Sequence, residues 1–531
     1  MGPEDWLLTP EERGNPATAL DERRIDRCAW SRGNEVRPLV HGAAYFAELL
    51  AAIRSQRAGD LLFFTDWRGD PDELLDGPGS AIGEVLCDAA RRGVVVKGLV
   101  WRSHLDRLQF SEQENRHLGD EIEAAGGECL LDMRVRPGGA HHQKFVVLRH
   151  PDRPERDVAF VGGIDLCHSR RDDARHGGDP KALPLAAAYG PRPPWHDVQL
   201  AVRGPAVGDV EATFRERWED PSPLSRSPLS RLRQLIHHED TVADPLPPQP
   251  PDPQPCGSQT VQLLRTYPAR RRGYPFAPDG ERSIARGYHK ALDRARSMIY
   301  LEDQYLWSAE VVAAFARALS SHPGLLMTAV VPAHPDQDGR LTAPMNLLGR
   351  IEALRELRRA GGDRFAVYSV ENHAGTPVYV HAKVCVIDDV WAAVGSDNVN
   401  RRSWTHDSEL ACSVLDGTAD PRLPRDPGGL GDGARAFARD LRLELGTEHL
   451  DLDAPDTLLH PADAFRAFAR SAAALEAWHR GGRSGPRPPG RLRPYPAPEL
   501  SRTATLASRP LQRLIADPDG RPRSLRRRAG Y

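Results

Sequence analysis

From Leu39 to Gln56 apolar residues recur at helical spacing, and the short apolar run Leu61–Thr65 that follows reads as a buried strand. The alternation continues with a helix near Ala81–Arg92, the run Val94–Trp101, a polar helix near Ser111–Ala125 and the run Cys129–Val135. His142–Leu148, Val158–Val161 and His196–Val202 add strands, and Ala206–Trp218 closes the series as a helix. Short buried strands alternating with helices predict α/β layering with a largely parallel sheet.

Between Pro221 and Ser258 the pattern stops. The stretch DPLPPQPPDPQP lacks the amide donors that a helix or a central strand needs, so it is expected to be an extended linker. Afterwards the order restarts. Ser283–Arg296, Ala309–Ser320 and Asn346–Ala360 read as helices, and Met298–Tyr305, Leu325–Val331, Phe365–Val370 and His381–Ile387 as strands. A similar series on each side of a proline-rich seam indicates an internal duplication. The expected units are an extension 1–38, repeats 39–220 and 259–480 about the linker 221–258, and a basic tail 481–531.

At 531 residues, 40% hydrophobic and 27% charged, the chain is neither disordered nor fibrous and is long enough for more than one core. Its net charge of −3 argues against a protein whose main work is gripping nucleic acid. The charge is uneven: residues 480–531 carry +10 and the remainder −13. Two readings of that tail stand, a solvated arm or a segment docking on an anionic phospholipid surface, and the first is preferred because arginine pervades the chain. No run reaches the roughly 18 apolar residues of a membrane span, and no basic head with an apolar stretch opens the sequence. A cytoplasmic protein, peripheral to a membrane at most, is expected. The seven cysteines are odd in number and form no C-x-x-C pair, which points to a reducing compartment and away from a disulfide scaffold.

Only five lysines occur, and two share one spacing: His142-Gln143-Lys144 and His381-Ala382-Lys383, each at the head of an apolar strand. With 20 histidines and five lysines, chance would supply about 0.2 such pairs. Each is followed by a strand and a glycine turn, Gly162-Gly163-Ile164-Asp165 and Gly395-Ser396-Asp397-Asn398. Strand alternation puts His and Lys on one face, an imidazole beside a fixed cation. A phosphate diester needs a nucleophile, an acid for the leaving oxygen and cations on the non-bridging oxygens. Two facing halves supply the two imidazoles that one half cannot. Asp388 falls on the opposite strand face and is read as orienting structure. The first half has Arg149 there and a longer path to its glycine turn, from which Asp152 or Asp157 could substitute. A metal site from His141, His142 and His150 is conceivable, but the lysines would repel a cation. Glu302 and Gln304 share a parity that fits a cleft or a core strand equally.

These motifs resemble the phospholipase D superfamily, specifically its two-motif phospholipases D. HAKVCVID with VGSDN matches the family's H-x-K-x4-D and G-S-x-N patterns, and HHQKFVVLR with AFVGGIDLC matches except at Arg149. Pro194-Trp195-His196-Asp197, Gly204-Pro205, Arg217-Trp218, Leu264-Arg265-Thr266 and Ile299–Tyr305 match further, with Asp303 where the family more often has Asn. The resemblance spans roughly Leu39 to Leu445 and implies a duplicated α-β-α sandwich, two repeats about a pseudo-twofold with the active site between them. It implies that one histidine attacks phosphorus to give a phosphohistidine while the other protonates the departing alcohol and then activates water. By likeness to bacterial members, His142 attacks and His381 is the acid/base. Lys144 and Lys383 would hold the phosphoryl oxygens, with Asn398 as a polar partner and Asp165 in the matching place. Asp197 and Glu409 look like the carboxylates that orient each imidazole, and Gly163, Ser396 and Asp388 look like support.

The reading is a phosphodiesterase that releases the headgroup of a glycerophospholipid at a membrane surface by hydrolysis or transphosphatidylation, with no cofactor or metal. Alternatives are a phosphatidyltransferase such as a cardiolipin or phosphatidylserine synthase, a nuclease of the same fold, and a non-catalytic phospholipid-binding scaffold. Cardiolipin synthases commonly carry amino-terminal spans, which are not seen here. Fewer than 40 residues precede the first α/β unit, so no amino-terminal lipid-binding module and no calcium dependence is expected. Nucleic acid is not an expected partner, and two motifs in one chain make a monomer sufficient. Arg171–Trp195, with its LPLAAAYGPRPPW stretch, is a candidate cleft-side or membrane-touching loop, or an ordinary surface insertion.

Overall fold

A computed structural model describes residues 2–24, 26–103, 112–225, 227–236, 239–337, 342–496, 500–527 and 530–531. The first half runs through α1 (Pro10–Arg13), β1 (Ser31–Val40), α2 (Gly42–Arg54), β2 (Leu61–Asp66), α3 (Ile82–Arg91), β3 (Val95–Trp101) and α4 (Glu112–Ala124). It continues with β4 (Glu128–Asp132), β5 (Phe145–Arg149), β6 (Val158–Gly162), β7 (Trp195–His196), β8 (Val198–Arg203) and α5 (Ala206–Trp218). After α6 (Pro228–Ile236) the second half has β9 (Gln259–Tyr267), β10 (Glu281–Arg282), α7 (Ser283–Arg294), β11 (Met298–Glu302), α8 (Ala309–Ser321), β12 (Leu326–Val330) and α9 (Thr342–Gly361). Then come β13 (Phe365–Glu371), β14 (Pro377–Val380), β15 (Val384–Ile387), β16 (Trp391–Gly395), α10 (Arg401–Thr405), β17 (Glu409–Asp416), α11 (Ala436–Leu450), α12 (Pro461–Arg480), β18 (Leu492–Pro494), α13 (Arg502–Leu511) and α14 (Arg523–Arg527).

The two sheets repeat one strand order. The first is β4-β3-β2-β5-β6-β8-β1 and the second β13-β12-β11-β15-β16-β17-β9. They join where β1 pairs antiparallel with β9. Strand β2, LLFFTD, is buried on both faces, as a central strand between helix layers must be. Along β5, Phe145 and Val147 point into a core shared with α5 and α11, whereas Val146 and Leu148 point into the core of α2 and α3. The shared core takes Phe214 of α5, Leu441 of α11, Phe63 of β2 and Val386 of β15, so the layers run α-β-α-β-α. The chain is a duplicated α/β fold, as the repeated motifs predict.

Several local expectations need correction. The sheets are mixed, not largely parallel: among the described residues of these two strand orders, β2-β3-β4 and β11-β12-β13 run parallel and the other neighbours antiparallel. Helical crossovers serve those strands alone, and the connection from β5 to β6 is too short to reverse direction twice. Leu39 and Val40 end β1, paired with β8, and helix begins only at Gly42. Helix α11 escaped the pattern because Arg439 and Arg442 are buried on it, paired with Asp389, and break its apolar stripe. The segment 221–258 contains α6, and its proline stretch is strapped to the first half: Arg149 donates to the Pro250 and Pro251 carbonyls. The tail is no solvated arm. Strand β18 pairs with β13, Asp517 accepts from the Arg402 amide at 3.0 Å, and Gly520 N donates to Thr405 at 2.9 Å. Its arginines are answered by acids of the second half, Arg493 by Glu371 and Glu476. Among the described residues no helix is long and apolar enough to cross a membrane.

Candidate active site

Each His-x-Lys lies in the lead-in to a strand, and each lead-in is held by the opposite half. Before His142, the His141 backbone bridges in parallel to Ser408, and His142 N donates to Ser408 O at 2.9 Å. Before His381, β14 pairs in parallel with β7, and His381 N donates to His196 O at 2.8 Å. Ser408 and His196 directly precede Glu409 and Asp197. These two short crossed ladders therefore bring each imidazole to a carboxylate encoded in the other repeat.

His142 Nδ1 lies 2.8 Å from Glu409 Oε2, and His381 Nδ1 2.6 Å from Asp197 Oδ2. Each ring turns Nδ1 to its acid, which leaves Nε2 as the working atom. The glycine turns are fitted to carboxylates of different length. A Cβ on Gly163 would come within 2.3 Å of Asp197 Oδ1, so only glycine leaves room for that shorter acid. In the other half Ser396 fills the space and donates to Glu409 Oε2 at 2.6 Å.

The lysines fold back onto their own motifs. Lys144 Nζ donates to the His142 carbonyl at 2.9 Å and stands 3.6 Å from Asp165, while Lys383 Nζ donates to the His381 carbonyl and to Gln304 Oε1 at 3.3 Å. Asn398 is buried, with its Oδ1 unpartnered among the described residues. Gln304 thus meets the site, but Glu302 does not. It binds His196 and His449 at 2.6 and 2.7 Å in a separate buried cluster. Two further residues, Arg170 and Trp67, were missed in the sequence, where Trp195 stood only as a motif match and the end of the candidate cleft-side loop. Trp195 lies against the His381 ring at 4.9 Å, Arg170 stacks on Trp195 at 4.0 Å and reaches Asp165 at 3.6 Å, and Trp67 meets His142 edge-on. Arg170 follows the first glycine turn closely, and that proximity was the one available signal. The 171–195 loop is cleft-side: Tyr189 donates to the His334 carbonyl at 2.6 Å and Ala186 N to that of Asp336 at 2.8 Å, so it crosses onto the second half.

Burial, and then the neighbouring Lys144, hold His142 well below the ordinary imidazole range, and burial with Lys383 does the same to His381. Lys383 also acts on His142, and Lys144 on Lys383, so the two motifs lie within one another's electrostatic reach. Burial pulls Lys383 down to about 8 against the opposing pull of Asp197. The two carboxylates differ. Burial raises Glu409 to about 8 despite Lys144, and its Oε1 has no hydrogen-bond partner among the described residues. Asp197 is buried too, yet His381 and Lys383 hold it below the usual carboxylate range, helped by the Val198 amide at 2.9 Å.

Asp388 touches none of this. Its carboxylate accepts the amides of Arg296, Ser297 and Met298 at 2.7, 2.8 and 2.7 Å, fixing the start of β11. Arg149 holds the matching place in the first half and is fully buried. Its partners are Asp157 at 2.7 Å, Glu211 on α5 and the two proline carbonyls. Asp157 is therefore the counter-ion of Arg149 and does not restore the missing acid. In the second half the polarity is reversed: Asp389 on the strand side faces Arg442 and Arg439 on α11. His141 and His150 do not join His142: they contact Gln143 and Asp157.

The sequence matches the family described as Phospholipase D over residues 70–311 and that described as Cardiolipin synthase, PLD-like domain over 288–420. It is 26% identical to phospholipase D alpha 1 of Cynara cardunculus over 462 residues, 64% of this chain and 56% of that protein. It is likewise 26% identical to phospholipase D alpha 1 of Oryza sativa subsp. japonica over 503 residues, 70% of this chain and 61% of that one. The chain thus spans about three fifths of these relatives. Phosphatidylserine synthase from Haemophilus influenzae Rd KW20 has a similar fold, with a TM-score of 0.52 and 12% identity over 86% of this chain and 95% of that one. With the repeated fold and paired motifs already seen, these matches show that the chain belongs to the phospholipase D superfamily.

Proposed function

We propose that the protein cleaves the headgroup phosphodiester of a glycerophospholipid at a membrane surface, through a phosphohistidine. The crossed imidazole–carboxylate pairs, with a lysine beside each ring, carry this reading. One Nε2 forms its bond to phosphorus as the bond to the headgroup oxygen breaks, and the other ring gives that oxygen its proton. Water then gives a proton to the second ring and displaces the first, leaving phosphatidic acid. An alcohol in place of water exchanges the headgroup, so hydrolase and transferase differ only in the second acceptor. Lys144 and Lys383 neutralise charge on the non-bridging oxygens throughout.

The carboxylate environments favour His381 as the attacking ring, the reverse of the order that likeness to bacterial members gives. Asp197 is a well-supported anion, so His381 directs its one proton there and its Nε2 is free. Burial raises Glu409 to about 8, so below that it shares a proton with the ring it faces and the His142 Nε2–H serves as the acid. With this order kcat/KM is flat between about pH 6 and 7.5 and falls above about 8, as that pair deprotonates and Lys383 loses charge. If His142 attacked, Glu409 would have to be ionised first, and kcat/KM would climb about tenfold per pH unit towards 8. A pH–rate profile separates the two.

The activity itself is tested on phosphatidylcholine vesicles, with and without ethanol, and on single-stranded DNA. Choline release with phosphatidic acid, diverted to phosphatidylethanol by ethanol, is expected. DNA cleavage without lipid cleavage, or vesicle binding without turnover, would overturn the proposal.

A further inference from the structure

Behind the crevice, side chains from separate elements converge on one point. His41 follows β1, His176 lies in the crossing loop, His196 is in β7 and Glu448 is in the last turn of α11. The three rings are essentially inaccessible, and Glu448 is 13% exposed. Glu448 Oε2 lies 2.9 Å from His41 Nε2, and its Oε1 lies 3.0 Å from His176 Nε2 and 3.7 Å from His196 Nδ1. All these atoms fall within 4.8 Å of one another.

The opposite nitrogen of each ring is engaged by a group that only accepts. His41 Nδ1 meets the Asp197 carbonyl at 3.2 Å, His176 Nδ1 the Trp195 carbonyl at 3.1 Å, and His196 Nε2 the Glu302 carboxylate at 2.6 Å. Each of those nitrogens must carry its hydrogen, and a neutral imidazole has only one. With neutral rings the inward nitrogens are bare lone pairs facing one another and a carboxylate, which repel unless a proton or a metal ion sits among them. Extra protons answer this poorly. They would charge neighbouring rings whose centroids are 4.7 to 5.6 Å apart, and a proton on His196 Nδ1, although favoured by Glu302 and Glu448, would reach Glu448 Oε1 only at 3.7 Å.

A metal ion answers it fully. Histidine ligands that give their other N–H to a carbonyl or carboxylate are the usual arrangement around a bound metal. With Zn–N bonds of about 2.05 Å, tetrahedral ligand atoms stand about 3.3 Å apart, and the contacts of 2.9 to 3.7 Å to Glu448 bracket that value. Two carboxylates, Glu448 and Glu302, balance a dication beside neutral rings. A surface pocket of about 540 Å³, lined by Glu448 with Asp440, Glu444 and Asp451 and by Arg422 and Arg491, offers an entry path on which the acids outnumber the arginines. We propose that His41, His176, His196 and Glu448 form a binding site for a borderline first-row dication, Zn²⁺ in the first instance. The site clamps α11 of the second half to β1, the crossing loop and β7 of the first. It also fixes Asp197, whose carbonyl His41 holds and whose chain neighbour is a ligand.

The test uses the full chain, without a histidine tag, grown with added zinc and purified without chelator. About one zinc per chain is expected by elemental analysis. Stripping with a strong chelator should lower the thermal midpoint by several degrees, with recovery on adding Zn²⁺. Replacement by Co²⁺ should give the visible absorption of a tetrahedral site. His176→Ala and Glu448→Gln should lose the stoichiometric zinc, whereas His117→Ala, on the exposed face of α4, should keep it. Less than about 0.1 zinc per wild-type chain with no response to Zn²⁺ would sink the proposal, as would full zinc content in His176→Ala. Should both ligand variants fail to fold, the wild-type metal content and the Co²⁺ spectrum decide alone.

Discussion

His142→Ala and His381→Ala are each expected to slow turnover of phosphatidylcholine vesicles by at least about 10⁴-fold, and the double variant should be little worse than either single one. The two rings act on one phosphorus in succession, so losing either removes the whole route. His142 is 16% and His381 6% exposed, and neither fills a core, so the variants should unfold near the wild-type midpoint. An activated substrate separates the roles. A phosphatidyl ester of p-nitrophenol has a leaving group that needs no acid. The His142→Ala chain should therefore release about one equivalent of nitrophenol in a burst, with the phosphatidyl group trapped on the peptide holding His381. His381→Ala should give no burst. A burst from His381→Ala alone would restore the order expected from bacterial members, and unaltered turnover in either alanine variant would refute the site.

The second large effect concerns stability. Arg149→Ala leaves Asp157 buried without its arginine and Glu211 with Arg215 alone, at a cost of about 3–5 kcal/mol. Arg149→Asp restores the letter that the family motif carries, yet it should be worse, because it sets a third carboxylate beside those two. Adding Glu211→Arg to Arg149→Asp imitates the polarity of Asp389 and Arg442 and should recover part of the loss. Denaturant unfolding of the three chains measures this, and an Arg149→Asp chain as stable as wild type would contradict it. The departure from the motif is thus a relocated ion pair at the end of β5, away from the chemistry at its head.

What could be read from the residues follows how local the signal was. His142, Lys144, His381 and Lys383 announce themselves through short spacing and rarity of lysine. The repeated strand order was legible because buried strands such as LLFFTD carry uninterrupted apolar runs. The crossing of Glu409 to His142 and Asp197 to His381 was not, since the backbone pairings that enforce it join positions 267 and 184 residues apart. Trp67 gave no pattern at all, and Arg170 only its closeness to the first glycine turn. In α11 and the tail, arginines that read as solvated charge are in fact buried or paired, which hid both a helix and a docked terminus.

The exchange of acids between repeats bears on how such a chain could arise. A lone ancestral half would have owned a base that its own acid cannot approach, and so would have been inert until two copies embraced. Fusion of the genes then made permanent a partnership that had to exist beforehand. The same dependence means that severing the chain at its seam should give fragments that are silent apart and competent only when reunited.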